Sequence, residues 1–291
     1  MDGKPGHEKQ TAGLVAALAQ TGGVDCWNIS VGSRKNPWLW WFAGQFPPGQ
    51  GLPDPDLIMG AGHATHMALL AARRARGGKG VVLMMPSLPL FLFDLCLIPE
   101  HDDPPHRNNV EPTRGVLNPL SDQGRHREDR GVILIGGPSP HFAWDSMEVS
   151  RQVVKLVGES PGMNWRLTTS RRTPGDFLAA LPPQPGLECI PAEATPPGWV
   201  ESQLAEAGEA WCTPDSVSMV YEALSAGCRV GLLDLPARAE SRVAAGVNRL
   251  LEEGWVITQG RRRLPPPPGA VLNEAARCAS LIRERWFPWN A

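Results

Sequence analysis

The stretch Thr213–Gly227 combines the pattern of a helix with side chains suited to a binding site. Apolar residues recur at helical spacing, and Gly227 is a typical helix stop. The free amides at a helix N-terminus, together with the hydroxyls of Ser216 and Ser218, suit a phosphate group. Glu222, about one to two turns further on, could accept hydrogen bonds from sugar hydroxyls. An ordinary capped surface helix is the alternative, because such caps are common.

Two other loops carry residues suited to anions, and each follows an apolar run that predicts a strand. The loop Gly136–Ser139 would let a phosphate approach the backbone closely, although it is neither G-x-G-x-x-G nor a Walker sequence. The loop Thr168–Thr173 contains the guanidiniums of Arg171 and Arg172, which suit a diphosphate, and a charged turn is the alternative. Because the carboxyl ends of parallel strands meet at one edge of a sheet, we expect three loops to converge there: 136–141, 169–173 and 213–218.

All seven histidines lie in the first half of the chain. Four of them fall where predicted strands should end: His7, His63, His101 and His141. His7 follows a Gly-rich turn at a helix start, a position that suits a general base or a phosphate-facing group, and a solvated loop histidine is the alternative. A metal site could be formed by His63, His66, His101 and Asp102. The two closely spaced histidines lack a supporting Glu motif, and no Cys joins them, so we expect no metal.

Aromatic residues are concentrated at Trp38–Phe42, next to Arg34 and Lys35. Trp with nearby basic residues suits the headgroup depth of a membrane, so this cluster could contact a membrane interface or a lipid-linked acceptor. A place in a helix core is the alternative. For the C-terminal run Trp286–Trp289, docking of the last helix is the simpler explanation.

Composition indicates a soluble, cytoplasmic, enzyme-like protein. The formal net charge of −2 gives no global attraction to nucleic acid. The six cysteines form no C-x-x-C pair and indicate buried free thiols in a reducing compartment. No signal peptide is visible, and Pro86, Pro89 and Asp94 interrupt the most apolar run, Val81–Ile98, so it is not a membrane span.

Short apolar strands alternate with helices, which implies parallel sheets covered on both faces. A chain of 291 residues is expected to form two domains, and the polar segment 103–130 is a plausible boundary. The predicted strands span 24–31, 56–60, 81–85, 95–98, 131–135, 164–168, 187–190, 210–213 and 229–233. The predicted helices span 8–20, a stretch ending near 76, 143–157, 175–181, 198–207, 213–227 and 271–286, the last following a four-proline linker at 261–268.

The N-terminal segment Asp2–Gln10 resembles a loop that leads directly into the first helix. In an α/β domain a buried strand should precede such a loop. We therefore expect either that this strand is missing, through truncation or a misplaced start codon, or that another segment replaces it.

Taken together, these motifs resemble those of the plant elongated-mitochondria (mitochondrial fission factor) family and its bacterial homologues, over nearly the whole length. The resemblance rests on 2–10, 60–66, Pro86-Ser87, 99–102, Asn118, 135–139, 169–172 and 213–219. The second half also resembles the donor domain of GT-B glycosyltransferases. Gly227–Val230 departs from the Gly-x-Pro often seen there, and the missing first strand is the larger departure.

The resemblance implies an α/β fold of two Rossmann-like domains facing across a cleft, with a C-terminal helix that crosses back to the first domain. The implied divisions are 1–122 (acceptor side), 123–270 (nucleotide-sugar donor domain) and 271–291 (returning helix). The implied donor-site residues are Gly137, Ser139, Ser170, Arg171, Arg172, Asp215, Ser216, Ser218, Met219 and Glu222. The implied catalytic residues are His7, His101 and Asp102, and the acceptor-side residues are Lys4, Gly6, Gly62, His63 and Ser87.

The leading hypothesis is an inverting, metal-independent glycosyltransferase without a cofactor, which uses a nucleotide-diphospho-sugar as its donor. Its acceptor would be a cell-envelope lipid or saccharide, reached from the cytoplasm or from the inner face of the membrane. His7, or His101 with Asp102, would deprotonate the acceptor hydroxyl. Two alternatives stay open: a non-catalytic recruitment protein of the mitochondrial-fission-factor type, and a nucleotide-sugar epimerase on the same fold.

Overall fold

The computed structural model describes residues 1–20, 22–31, 36–238, 241–261 and 271–288. Predictions made for Arg34, Lys35, the proline-rich linker and Trp289 lie outside these residues. The chain forms two compact units, one comprising Met1–Pro119 with Glu274–Ala291 and the other Leu120–Asn273. We call them unit 1 and unit 2.

Unit 1 is built on a parallel sheet whose strands lie in the order β1-β2-β3-β4. The strands are β1 (Leu57–Ala61), β2 (Lys79–Leu83), β3 (Leu95–Pro99) and β4 (Val110–Thr113). The helices are α1 (Pro5–Gln20), α2 (Pro37–Ala43), α3 (His63–Arg76) and, from the end of the chain, α9 (Glu274–Trp286).

Helices cover both faces of this sheet, as its continuous apolar strands require. On one face α1 and α9 pack together through buried side chains that include Leu14, Leu18, Cys278 and Ile282. On the other face Leu69 and other residues of α3 pack against β2 and β3. Trp286 and Phe287 pack against the α1–α9 side, which confirms that the last helix docks through its aromatic end.

Unit 2 is built on a six-stranded parallel sheet in the order β10-β9-β8-β5-β6-β7. The strands are β5 (Arg127–Leu134), β6 (Asn164–Thr168), β7 (Leu187–Ile190), β8 (Ala207–Cys212), β9 (Arg229–Leu232) and β10 (Val256–Thr258). The helices are α4 (Ser146–Gly158), α5 (Gly175–Ala180), α6 (Trp199–Glu206), α7 (Val217–Ser225) and α8 (Arg242–Glu252). The chain runs outward from β5 through β6 to β7, then returns to β8 and continues the other way. The order therefore reverses between β5 and β8, and such a switch point is where open α/β sheets bind ligands.

Most predicted elements are confirmed, and the differences have physical causes. Helix α1 begins at Pro5 rather than Glu8, because proline suits the first helical position. The strand predicted at Val24–Val31 is wrong: this segment has no regular secondary structure and is mostly exposed, and of the described residues only Met1 forms backbone hydrogen bonds with it. A segment becomes a β-strand only when neighbouring strands pair with its backbone, and this segment has no such strand beside it. Elements that the sequence did not reveal are α2, β4, α8 and β10.

Candidate functional site

The three loops predicted to converge do meet, at the carboxyl edge of the unit 2 sheet. Asp215, after β8, accepts hydrogen bonds from the backbone N–H of Gly137, after β5 (2.9 Å), and from Nη2 of Arg172, after β6 (2.8 Å). The Asp215 side chain is completely buried, whereas that of Arg172 is 45% exposed. Arg172 also donates to the carbonyls of Gly137 and Pro138. One buried carboxylate thus connects all three loops.

Hydroxyl groups reinforce the same junction. Thr213, which is fully buried, accepts a 2.7 Å hydrogen bond from the backbone N–H of Gly136. Ser170 donates to the carbonyl of Gly136 at 3.0 Å, and Thr173 donates to the same carbonyl. Buried backbone groups that the sheet does not pair are in this way satisfied by side chains.

Two glycines are required at this junction because other atoms approach their backbone closely. A Cβ on Gly136 would lie 2.3 Å from Oδ2 of Asp215. A Cβ on Gly137 would lie 2.3 Å from the carbonyl oxygen of Arg172. Side chains larger than hydrogen would therefore push the loops apart.

The N-terminus of α7 lies next to this junction and keeps unused donors. Ser216 occupies the N-cap position, but its hydroxyl makes no capping hydrogen bond. Within the described ranges, the backbone amides of Val217 and Ser218 also have no hydrogen-bond partner. Ser218 is exposed, and Met219 packs in part against the core. The helix end can therefore bind an anion through its amides and hydroxyls.

Two acidic residues at or near the start of α7, Asp215 and Glu222, are buried. Asp215 has one carboxylate oxygen, Oδ1, that is buried without a partner in the part of the chain described. Glu222 is 7% exposed on α7. Burial, and then the nearby charges of Cys228, Glu222 and Asp215, raise the pKa of the Cys212 thiol. Unsatisfied buried acceptors are rare in native proteins, and a bound water or ligand is one explanation for them.

The remaining predicted donor-site residues differ in their surroundings. Ser139 accepts hydrogen bonds from the backbone N–H groups of His141 and Phe142, both at 3.2 Å, so its hydroxyl shapes the loop. Arg171 is exposed and makes no hydrogen bond or ion pair with any described residue. It is therefore a free cation beside the junction. Sequence reasoning placed Gly136 and Thr213 in the converging loops, but it did not predict the hydrogen bond between them.

In unit 1 the predicted base His7 is paired with a carboxylate. Its Nδ1 lies 2.8 Å from Oδ2 of Asp2, whose side chain is 2% exposed, against 19% for His7. Burial alone would raise the pKa of Asp2, but the hydrogen bonds from His7 and from the backbone of Lys4 outweigh it and lower that pKa. An ionised Asp2 holds the proton on Nδ1 and leaves Nε2 as the basic nitrogen. Gly62 is needed here, because a Cβ on it would lie 2.2 Å from Nδ1 of His7.

A second histidine lies in the same region but is not exposed. His66 is buried, and its Nδ1 lies 3.2 Å from the hydroxyl of the exposed Ser87. Burial first, and then the nearby His63 and His7, lower the pKa of His66 to about 4. Its Nε2 has no partner among the described residues. The imidazole of His66 is therefore uncharged at neutral pH and lines the site.

The other predicted residues of unit 1 are less tightly organised. His101 and Asp102 form a one-turn 3₁₀ helix after β3, with 3.9 Å between Nε2 and Oδ1, too long for a hydrogen bond. Lys4, Gly6 and His63 are exposed. In the described part of the chain, no three His, Cys, Asp or Glu side chains are grouped to hold a metal ion.

The aromatic segment forms helix α2, and its apolar side chains project outward. Trp38, Leu39 and Phe42 are 51%, 64% and 69% exposed, so a place in a helix core is wrong for them. Trp41 alone in this helix packs against the core on the α3 side. Among the described helices, none is long and apolar enough to cross a bilayer. The prediction of buried cysteines is wrong for Cys26 and Cys189, which are exposed.

Solved structures resemble this chain at low sequence identity. MurG of Acinetobacter baumannii has a TM-score of 0.51 and 14% identity, with 97% of each chain covered. The UDP-GlcNAc 2-epimerase of Methanocaldococcus jannaschii, solved with UDP-GlcNAc and UDP, has a TM-score of 0.47 and 10% identity, covering 96% of this chain and 97% of that one. MnaA of S. aureus, solved with UDP, has a TM-score of 0.47 and 15% identity, covering 97% and 87%.

The MurG likeness shows a shared fold of two Rossmann-like α/β domains, the GT-B type, and the other two scores are too low to support an argument. No curated protein matches the sequence significantly. The family model described as mitochondrial fission ELM1 matches residues 5–286. The chain therefore belongs to the mitochondrial fission ELM1 family.

Proposed function

We propose that this protein is a GT-B-type glycosyltransferase that moves a sugar from a nucleotide-diphospho-sugar to a cell-envelope lipid or saccharide, without a metal or cofactor. The observation that carries the proposal is the junction at the switch point of unit 2. There Gly137, Asp215 and Arg172 bring three loops together beside a helix N-terminus with unused donors.

The diphosphate of the donor would bind at the start of α7. Its oxygens would accept hydrogen bonds from the free amides and from the hydroxyls of Ser216 and Ser218, and Arg171 would supply a full positive charge. These groups would stabilise the charge that develops on the departing nucleoside diphosphate. Glu222 would accept hydrogen bonds from the ribose, and Ser139, Ser170 and Met219 would line the site.

The acceptor would be activated in unit 1 by His7. Its Nε2 would take the proton of the acceptor hydroxyl while that oxygen forms a bond to the anomeric carbon and the bond to the diphosphate breaks. Asp2 would stabilise the imidazolium that results, at the 2.8 Å separation seen here. A single displacement inverts the anomeric centre. Residues lining the acceptor side would be Lys4, Gly6, Gly62, His63 and Ser87, with His101 and Asp102 as the alternative base.

The exposed face of α2 suits an acceptor that carries a lipid. Trp38, Leu39 and Phe42 present apolar surface at a helix that buries none of its residues. Aromatic side chains of this kind favour the membrane interface. A peripheral contact at the inner face of the membrane would place the protein beside such an acceptor.

Nucleotide binding tests the proposal. Thermal unfolding and calorimetric titration with UDP, TDP, GDP and CMP should show one nucleotide that raises the melting temperature. Arg171→Ala should weaken that binding, because Arg171 makes no contact that the fold needs. The matched control is Arg229→Ala: this exposed arginine starts β9, at the opposite edge of the same sheet. Loss of one phosphate contact by an exposed arginine should weaken binding by roughly tenfold.

The outcomes separate the alternatives. If no nucleotide binds, or if Arg171→Ala and Glu222→Ala bind as tightly as the wild type, the transferase proposal is wrong and a recruitment role takes its place. Turnover of the donor without any acceptor would instead indicate an epimerase.

A further inference from the structure

His141, in the loop after β5, is held in place through every one of its polar atoms except one. Its backbone N–H donates to the hydroxyl of Ser139 (3.2 Å), and its carbonyl accepts from the N–H of Arg238 (2.9 Å). Its ring nitrogen Nδ1 lies 3.1 Å from Oγ of Ser241. The other ring nitrogen, Nε2, has no hydrogen-bond or ion-pair partner among the described residues. The side chain is therefore preorganised, and Nε2 is the atom that it can offer to a ligand.

The segment around His141 joins the loop after β5 to the loop after β9. The buried Phe142 forms an isolated β-bridge with Ala237, and the N–H of Ala143 donates to the carbonyl of Pro236 at 2.8 Å. In the sheet β8 lies between β5 and β9, so these two loops meet across the end of β8, the strand that leads into α7. His141 therefore lies at the same carboxyl edge as the junction described above.

The hydroxyl of Ser241 decides which ring nitrogen of His141 carries the hydrogen. Ser241 is the N-cap of α8, and its Oγ accepts a hydrogen bond from the N–H of Ala244 (3.1 Å). In the described part of the chain, Nδ1 of His141 is the acceptor available to the hydroxyl proton. When Ser241 donates to Nδ1, the hydrogen of a neutral imidazole must lie on Nε2. The opposite tautomer would leave the hydroxyl proton unpaired and present a bare nitrogen at Nε2, which repels an anion.

We propose that His141 is a further binding residue of the donor site, where its Nε2–H donates to a phosphoryl oxygen of the diphosphate, and that Ser241 is a positioning residue that fixes the tautomer of His141. The inference rests on the proposed transfer from a nucleotide-diphospho-sugar. An oxygen-rich anion suits this edge because its accessible unpaired groups can donate hydrogen bonds: the guanidinium of Arg171, the hydroxyl of Ser216 and the first amides of α7. An N–H that is already fixed in place needs no reorganisation when charge develops on the departing diphosphate.

The tautomer is measured directly by NMR on the full-length protein with isotopically labelled histidines. Long-range proton–nitrogen correlation spectra distinguish the two ring nitrogens, and either of two variants, His141→Asn or His141→Gln, identifies the signals of this residue. At pH 8 the hydrogen should lie on Nε2 in the wild type and in Ser241→Thr, which keeps the hydroxyl. Ser241→Gly removes the hydroxyl with little loss as an N-cap, and both tautomers should then be populated.

Binding is measured by calorimetric titration with inorganic pyrophosphate, the group that all nucleotide-diphospho-sugars share. His141→Gln places an amide N–H near the position of Nε2, whereas His141→Asn places it near Nδ1. The Asn variant should bind roughly tenfold more weakly, because a hydrogen bond to a charged group is lost, and the Gln variant should stay within about threefold of the wild type. Ser241→Gly should bind about twofold more weakly if half of the imidazoles change tautomer. The matched control is His106→Asn, at an exposed histidine of unit 1, which should bind like the wild type.

Two results would overturn the inference and leave the proposed transferase activity standing. In one, the wild-type ring of His141 carries its hydrogen on Nδ1, a result that needs no ligand. In the other, the wild type binds pyrophosphate and His141→Asn binds it as tightly as His141→Gln does. If the wild type binds neither pyrophosphate nor any nucleotide, the proposed function is wrong and the binding role of His141 is wrong with it.

Discussion

Replacing Gly137 with alanine tests how closely the loops of unit 2 approach one another. The added Cβ would lie 2.3 Å from the carbonyl oxygen of Arg172 and 2.5 Å from its carbonyl carbon. Both are backbone atoms, so relief requires movement of a loop rather than rotation of a side chain. That movement would also stretch the 2.9 Å hydrogen bond from Gly137 to the buried Asp215.

The expected loss of stability follows from these two effects. Overpacking a close contact costs about 1–3 kcal/mol, and a buried amide deprived of its partner costs about 1–3 kcal/mol. Since one loop movement produces both, we expect a combined loss of about 2–4 kcal/mol in the free energy of unfolding. For a domain of about 150 residues this lowers the melting temperature by roughly 4–16 °C.

Urea and thermal unfolding of Gly137→Ala measure this loss, and Gly158→Ala is the matched control. Gly158 ends α4 with open space around it, so alanine there should raise stability by up to about 1 kcal/mol. The reasoning fails if the two variants unfold at the same temperature. The Gly137 variant should also lose nucleotide affinity, because Asp215 and Arg172 would no longer hold the loops together.

Three other predictions concern His66, Thr213 and the cysteine thiols. Folding lowers the pKa of His66 from 6.5 to about 4, so the unfolded chain takes up a proton at this residue at a higher pH than the folded chain does. The free energy of unfolding is therefore at its full value above pH 6.5 and falls by up to about 3 kcal/mol as the pH drops to 4. Urea unfolding at pH 7 and 4.5 should show this loss, and the variant His66→Gln should lack it. Thr213→Val leaves the N–H of Gly136 unpaired and should cost about 1–3 kcal/mol, whereas Thr213→Ser should cost clearly less in the same assay. Alkylation of the native protein followed by mass spectrometry should label only the two exposed thiols, because the reagent cannot reach the other four. Burial also raises the pKa of Cys189, so Cys26 should react faster than Cys189. Labelling of any of the four buried thiols at the rate of Cys26 would contradict the structure. The two exposed thiols are Cys26 and Cys189, and the four buried ones are Cys96, Cys212, Cys228 and Cys278.

The sequence predicts the parallel sheets well because buried parallel strands are continuous apolar runs that end abruptly in polar loops. That pattern locates Gly137, Arg172 and Asp215 at strand ends, and parallel strands bring such ends to one edge. The Val24–Val31 segment shows the limit of this reasoning. It has the composition of a strand, yet whether it forms one depends on a neighbour elsewhere in the chain, which local pattern cannot reveal.

Side-chain partners were predicted less completely than strand ends. The pairing of Asp2 with His7 depends on how the turn before α1 folds back against Gly62, a contact between distant parts of the chain. The unused hydroxyl of Ser216 was also not predictable, because a serine before a helix normally caps it. In both cases the deciding fact is a three-dimensional contact, or its absence, rather than residue type.

The assignment of α9 to unit 1 has a consequence for the order in which the protein is made. Unit 2 is inserted between the two segments of unit 1, and the core of unit 1 includes Ala275, Cys278 and Ile282 from the last helix. During synthesis, unit 2 is complete before this helix leaves the ribosome, so the apolar face of α1 stays uncovered until the helix has been made. Until then, unit 1 exposes apolar surface of the kind that makes incompletely folded chains prone to aggregation. Truncation before Glu274 should leave that apolar surface exposed permanently.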